Sequence, residues 1–239
     1  MTETIKGSVV LITGASGAIA QALIAELTAR GAARIYAAAR DISALAASDL
    51  LLPIKMDVTS DDDVNKAAAL APDVTLLINN AGVNHNTSFM TAPDMALARE
   101  EIEANYLAPM RVTRAFAPAL TANRGAVLNM LTILARVNLP FMGSYCASKA
   151  AALSLTQGMR GELAPRGVRV AAALPGAVDT RMTAMLSIPK MTTAEAAVEI
   201  LDGFEAGEEE IYVGEMARGL AKGLAHDAKA VERQLASPG

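Results

Sequence analysis

The sequence predicts an α/β fold: a single doubly wound domain over residues 1–239, whose seven-stranded parallel sheet carries helices on both faces. Two observations predict it. Val9 to Thr13 and later runs of β-branched and aliphatic residues lack alternation, as strands covered on both faces require. These runs alternate with alanine- and leucine-rich segments of helical length through short turns, and no linker or low-complexity stretch divides the chain.

Val9 to Thr13 is read as a central strand. Gly17 to Arg30 is a helix ending at Gly31, and Arg34 to Ala38 is the next strand, which makes a βαβ crossover. The pattern repeats with a strand at Pro53 to Met56 before Asp57, a helix from its cap Ser60 to Ala71, and a fourth strand at Val74 to Ile78. Asp94 to Asn123 is helical with interruptions at Pro109 and Pro118, and Ala126 to Met130 is a strand. Phe141 to Ala164 is a helix, followed by a strand at Val168 to Leu174. A helix at Thr192 to Ala206, a strand at Glu210 to Val213 and a helix at Met216 to Leu235 complete the chain.

Composition narrows the function. With 52% hydrophobic and 3% aromatic residues, the core is aliphatic. A net charge of -4 with both signs interspersed supplies neither a basic stripe for nucleic acid nor a polybasic membrane patch. Cys146 is the sole cysteine, which rules out an intrachain disulfide, and His85 and His226 are too far apart to suggest a zinc cluster, so no metal is expected. Met1 to Ser8 lacks the features of a secretory signal, and no apolar run reaches the roughly 18 residues of a membrane span, so a cytoplasmic protein is expected.

Three stretches carry chemistry. Tyr145 and Lys149 lie four residues apart on one face of a predicted helix, and a fixed ammonium there stabilises a phenolate whose free pKa is about 10. The strand from Val9 turns through Gly14 and Gly17 into a helix, as a pyrophosphate-binding turn does, and Asn79-Asn80-Ala81-Gly82 ends another apolar strand. In this order and spacing the stretches resemble the short-chain dehydrogenase/reductase family, with a Rossmann-type fold, and the resemblance covers nearly the whole chain.

That resemblance implies a dinucleotide held by Gly14, Ser16, Gly17 and Ile19 at the first turn. Asp57 and Val58 would frame the adenine, and Ala81 and Gly82 would line the adenosine side. Asn79 is read either with them or as a tie between strand ends. Ala18 and Ala20 replace two glycines of the commonest family turn, and the spacing Gly14-x-x-Gly17-x-x-Ala20 keeps two. Ala39 stands where an acidic residue would bind an adenosine ribose, and Arg40 follows with a guanidinium suited to a 2′-phosphate, assisted by Ser16. This favours NADP(H) over NAD(H); the alternative pairs Arg40 with Asp41.

On the catalytic side the resemblance assigns Asn105, Thr132, Tyr145 and Lys149. Thr132 stands in the place of the usual serine that orients a carbonyl, and protons would pass by the Asn105 site and Lys149 to Tyr145. Pro175, Gly176, Val178 and Thr180 would lie beside the nicotinamide. Leu134, Val137, Leu139, Phe141, Met142, Met182, Met185, Leu186 and Met191 are candidates for an apolar pocket, and Arg136 and Arg181 for attraction of an anionic substrate. The expected activity is NADPH-dependent reduction of a ketone to a secondary alcohol, reversible as an alcohol dehydrogenase. Two alternatives are a 3-oxoacyl thioester reductase and a non-catalytic NADP(H)-binding sensor. A sugar-nucleotide epimerase is discounted because only about 60 residues follow Pro175-Gly176, too few for a substrate domain. A homodimer or homotetramer packed through the two long helices is expected.

Overall fold

A computed structural model describes residues 4–236, so the N-terminal reading of Met1 to Ser8 lies partly outside the described residues. Seven strands form one parallel sheet in the order β3-β2-β1-β4-β5-β6-β7. They are β1 (Val9–Thr13), β2 (Arg34–Ala39), β3 (Leu51–Lys55), β4 (Leu76–Asn79), β5 (Ala126–Met130), β6 (Arg169–Pro175) and β7 (Glu210–Val213). The helices are α1 (Ala18–Ala29), α2 (Asp61–Leu70), α3 (Ala96–Ile102), α4 (Ala108–Ala122), α5 (Gly143–Leu163), α6 (Thr193–Glu205) and α7 (Gly214–Ala236).

Side chains alternate across the pleat and bury both faces. Val10 and Ile12 of β1 join Leu23 and Leu27 of α1 and Ile200 of α6 on one face. Leu11 joins Val64 of α2, Phe116 of α4 and Met159 of α5 on the other. Both sides of β1 are dry, which explains its unbroken apolar run. The Ser60 hydroxyl accepts from Asp63 N and caps α2 as expected.

Two expected helices differ. The stretch from Asp94 to Asn123 divides into α3, a π-helical turn at Glu103–Leu107, and α4. Pro109 has no N–H for the Asn105 carbonyl, and its ring crowds that carbonyl, so the wider turn relieves the clash. The last helix breaks at Asp227 (φ -149°, ψ 90°), whose carboxylate accepts from Ala230 N at 2.9 Å and restarts the chain as a cap. Among the described residues no helix is long and apolar enough to cross a membrane.

Candidate active site

The strand order reverses between β1 and β4, and the crevice beyond their C-terminal ends is where this topology binds ligands. Thr13 Oγ1 accepts from both Asn80 N and Ala81 N at 3.0 Å, and Asn80 Nδ2 donates to Thr13 O at 2.9 Å. This lock draws the two strand ends together over Gly14. Gly14 has φ +65°, and a Cβ built there would meet Ala81 Cα at 2.9 Å. Gly17 is the cap of α1 and carries no side chain across the first-turn amides, while Ser16 is exposed and Ile19 packs partly against the core. A glycine cradle ending on an open helix N-terminus fits a dinucleotide pyrophosphate. Changing Gly14 to Ala should destabilise the protein by about 2–4 kcal/mol, read as a lower urea midpoint, since it combines positive-φ strain with a backbone clash.

At the end of β2, Arg40 is exposed and makes no ion pair with Asp41 among the described residues. Asp41 instead accepts from Ser43 N at 2.9 Å, a local bond that lowers its pKa, so the alternative pairing of Arg40 is not present. Asp57 accepts from Thr59 N and Oγ1 at 2.9 and 2.8 Å, and Val58 O accepts from Arg111 at 3.1 Å. The Thr59 backbone bond is the main force holding the Asp57 carboxyl below its ordinary range.

Asn79 takes the structural course of its two readings. Its amide donates to Asn129 Oδ1 at 2.8 Å and Thr113 Oγ1 at 3.0 Å, while Asn129 reaches Thr156. Buried at the meeting of β4, β5, α4 and α5, the side chain is tied into this polar knot.

Across the crevice the π-helical turn aims Asn105 at the segment after β4. Its Oδ1 accepts from Val83 N at 2.9 Å, and its Nδ2 donates to Val83 O at 2.8 Å and Ser148 Oγ at 2.9 Å. Ser148 donates onward to Tyr145 O at 2.7 Å. Gly82 fits beneath this network, since a Cβ there would stand 2.8 Å from Asn105 Oδ1 and 3.4 Å from Lys149 Nζ. The structure therefore brings Gly82, Asn105, Tyr145 and Lys149 together.

The expected effect of Lys149 on Tyr145 does not hold in the chain alone. Lys149 Nζ donates to Met130 O at 2.9 Å and lies 6.0 Å from the Tyr145 ring centroid. Burial dominates instead: it raises the Tyr145 pKa well above the ordinary value, with Cys146 and Glu101 adding to the rise, and draws Lys149 down to about 8. The phenol is thus a protonated acid. Thr132 donates to Pro175 O and accepts from Leu134 N, both at 3.3 Å, so its hydroxyl rests on two long backbone bonds.

The loop after β6 leaves the same, C-terminal end of the parallel sheet. Gly176 runs against α7, where a Cβ would meet that of Met216 at 3.0 Å. Buried Val178 bridges to Met191, and Thr180 begins a short turn whose Thr183 hydroxyl donates to Val178 O at 2.5 Å.

A family profile described as short chain dehydrogenase matches residues 8–190. The chain belongs to this family. The chain is also similar to a solved short chain dehydrogenase from Burkholderia cenocepacia J2315 in complex with NADP, at 43% identity over 99% of this chain and 100% of that one, with a TM-score of 0.95. Among curated proteins it is 34% identical to a short-chain dehydrogenase of Penicillium ochrochloron over 72% of this chain, and spans 66% of that relative's length. It is 29% identical to a 3-oxoacyl-[acyl-carrier-protein] reductase of Escherichia coli (strain K12), over 76% of this chain and 78% of that protein.

In this family member, Leu134, Leu139 and Leu186 pack on Met142, Tyr145 and Cys146, forming an apolar wall beside the phenol. Val137 is buried, whereas Phe141, Met182 and Met185 are exposed. Met191 departs from the pocket expectation: it packs against the main core, because its bridge to Val178 turns it inward. Arg136 departs as well, since it donates to the Tyr212 hydroxyl and sits 4.0 Å from Glu210, so its charge is already countered. Arg181 is exposed. Sequence reasoning missed Thr13, Ser148 and Glu101. Ser148 and Glu101 each lie about one helical turn from an assigned residue, Tyr145 and Asn105, a spacing that could have found them.

Proposed function

We propose that the protein is an NADPH-dependent carbonyl reductase, reversible as an alcohol dehydrogenase, with residues 1–239 acting as one domain that holds both cofactor and substrate. The observation that carries this reading is the convergence of Gly82, Asn105, Tyr145 and Lys149 at the reversal of the sheet. Gly14, Ser16, Gly17 and Ile19 would hold the pyrophosphate side, Asp57, Val58 and Ala81 the adenosine side, and Pro175, Gly176, Val178 and Thr180 the nicotinamide side. The nicotinamide, when bound, exchanges hydride with the substrate carbon.

The chain's own residues handle the oxygen. Tyr145, kept protonated by burial, donates its proton to the carbonyl oxygen as the alkoxide forms. Thr132 Oγ1 would exchange its long 3.3 Å bond to Pro175 O for the same oxygen and orient it. Lys149, already poised near neutrality, would supply positive charge and a donor beside Tyr145. Asn105 keeps the backbone around Gly82 in place through Val83. The leucine wall excludes water and accepts an apolar substrate arm.

Arg40 supports NADPH as the preferred form, because its guanidinium is exposed beyond the end of β2 and Ala39, not an acidic residue, ends that strand. The resemblance to a protein solved with NADP agrees. The test is nicotinamide absorbance with NADPH and NADH against aryl, alkyl and 3-oxoester ketones. NADPH-linked turnover is expected, and Arg40→Asp should lower the NADPH-to-NADH ratio of kcat/KM about 10- to 100-fold. Nucleotide binding without turnover on any ketone would replace this reading by a sensor. A homodimer or homotetramer in the cytoplasm completes the proposal.

A further inference from the structure

Three buried side-chain polar atoms without a hydrogen-bond partner among the described residues, His85 Nε2, Thr87 Oγ1 and Glu101 Oε2, fall on the segment after Gly82 and on the helix that anchors it. Glu101 is 0% exposed and sits one helical turn before Asn105. Its Oε1 accepts from His85 N at 2.9 Å, so Glu101 and Asn105 grip His85 and Val83 from one face. Its second oxygen receives nothing. His85 Nε2 lies 3.0 Å from Glu100 Oε2 but without the alignment of a hydrogen bond. The segment that Glu101 holds runs against the Tyr145 end of α5: Asn84 Nδ2 reaches Met142 Sδ at 3.5 Å, and Met142 packs with Tyr145 and Cys146. Near Tyr145 the other wall is leucine.

A buried carboxylate oxygen with no donor is costly in so apolar a setting, and a ligand that brings the donor removes that cost. We propose that Glu101, with Thr87 and His85, forms a polar subsite for a hydroxyl on one arm of the carbonyl substrate, while Leu134, Leu139 and Leu186 receive an apolar second arm. An aliphatic hydroxyl suits the set because it donates to the carboxylate oxygen and accepts from Thr87 or His85. A plain ketone leaves Glu101 Oε2 unpaired. This inference rests on the reductase reading of the same site and narrows its substrates to hydroxyketones and the corresponding diols.

The test compares a hydroxyketone with the ketone of the same skeleton lacking the hydroxyl, for the wild type, Glu101→Gln and Thr87→Val. In Glu101→Gln the amide oxygen still serves His85 N while an NH₂ replaces the free acceptor. The wild type should favour the hydroxyketone in kcat/KM by about 10- to 100-fold, and Glu101→Gln should lower that ratio at least about tenfold, with a smaller fall in Thr87→Val. A purely structural role would lower both rates together and leave the ratio unchanged. Equal efficiency of the wild type on both ketones, or an unchanged ratio in Glu101→Gln, overturns the subsite. Calorimetry on the NADP-loaded protein, comparing diol with mono-alcohol, separates the two readings. Tighter diol binding lost in Glu101→Gln, but without turnover, upholds the subsite and removes the reductase; equal binding of the two alcohols overturns the subsite whatever the turnover.

Discussion

Replacing Tyr145 by Phe is expected to lower kcat for NADPH-linked ketone reduction about 10²- to 10⁴-fold, the range for loss of a positioned general acid. The substitution removes one oxygen and leaves the ring, which packs with Leu134, Leu139 and Met142. Folding should be little changed, because the Tyr145 hydroxyl has no hydrogen bond among the described residues and the ring contacts persist. Burial holds the phenol protonated well above neutrality, so the wild-type acid is available throughout the neutral range. Nicotinamide absorbance would report the rate and circular dichroism the fold. Undiminished reduction by a folded Tyr145→Phe protein would rule out this tyrosine as the acid.

Replacing Lys149 by Met should divide stability from function. In the folded chain burial brings the Lys149 pKa from 10.5 to about 8. Below pH 8 the folded and unfolded states both carry the proton, and folding bears the full cost of burying an ammonium. Between pH 8 and 10.5 the unfolded chain keeps a proton that the folded chain releases, so wild-type stability rises with pH, by at most about 3 kcal/mol. Above that window the cost is gone. Lys149→Met should therefore show no such rise. At pH 7 it should be more stable than the wild type by about 2 kcal/mol, after allowing about 1 kcal/mol for the lost bond to Met130 O. Turnover should fall at least about a hundredfold, since no charged donor remains beside Tyr145. Urea melts of the ligand-free proteins across pH 7–10.5 provide the comparison, and a variant less stable than the wild type at pH 7 would contradict it.

Much of the fold was legible because its signals are local. An unalternating run such as Val9 to Thr13 specifies a strand dry on both faces, and Ser60 announces the start of α2. The pairing of Tyr145 and Lys149 follows from four residues of helical spacing. Even the split of the long helix had a local cause in Pro109, although the π-helical turn it produces, and hence the aim of Asn105, emerged only from the structure.

What the sequence by itself determined about this protein is the order of strands and helices, the glycine turn and the family. The tertiary structure decided how polar groups are partnered. Asn79 could serve a ligand or a knot until β5 brought Asn129 alongside it, and Arg136 could attract an anion until Tyr212 and Glu210 closed on it. The tertiary structure also set the ionisation of Tyr145 and Lys149, because desolvation depends on packing from distant segments and outweighs the charge of a helical neighbour. The unpaired oxygen of Glu101 is of the same kind: the sequence shows one more acid in a helix, and only burial against the His85 segment makes it a site.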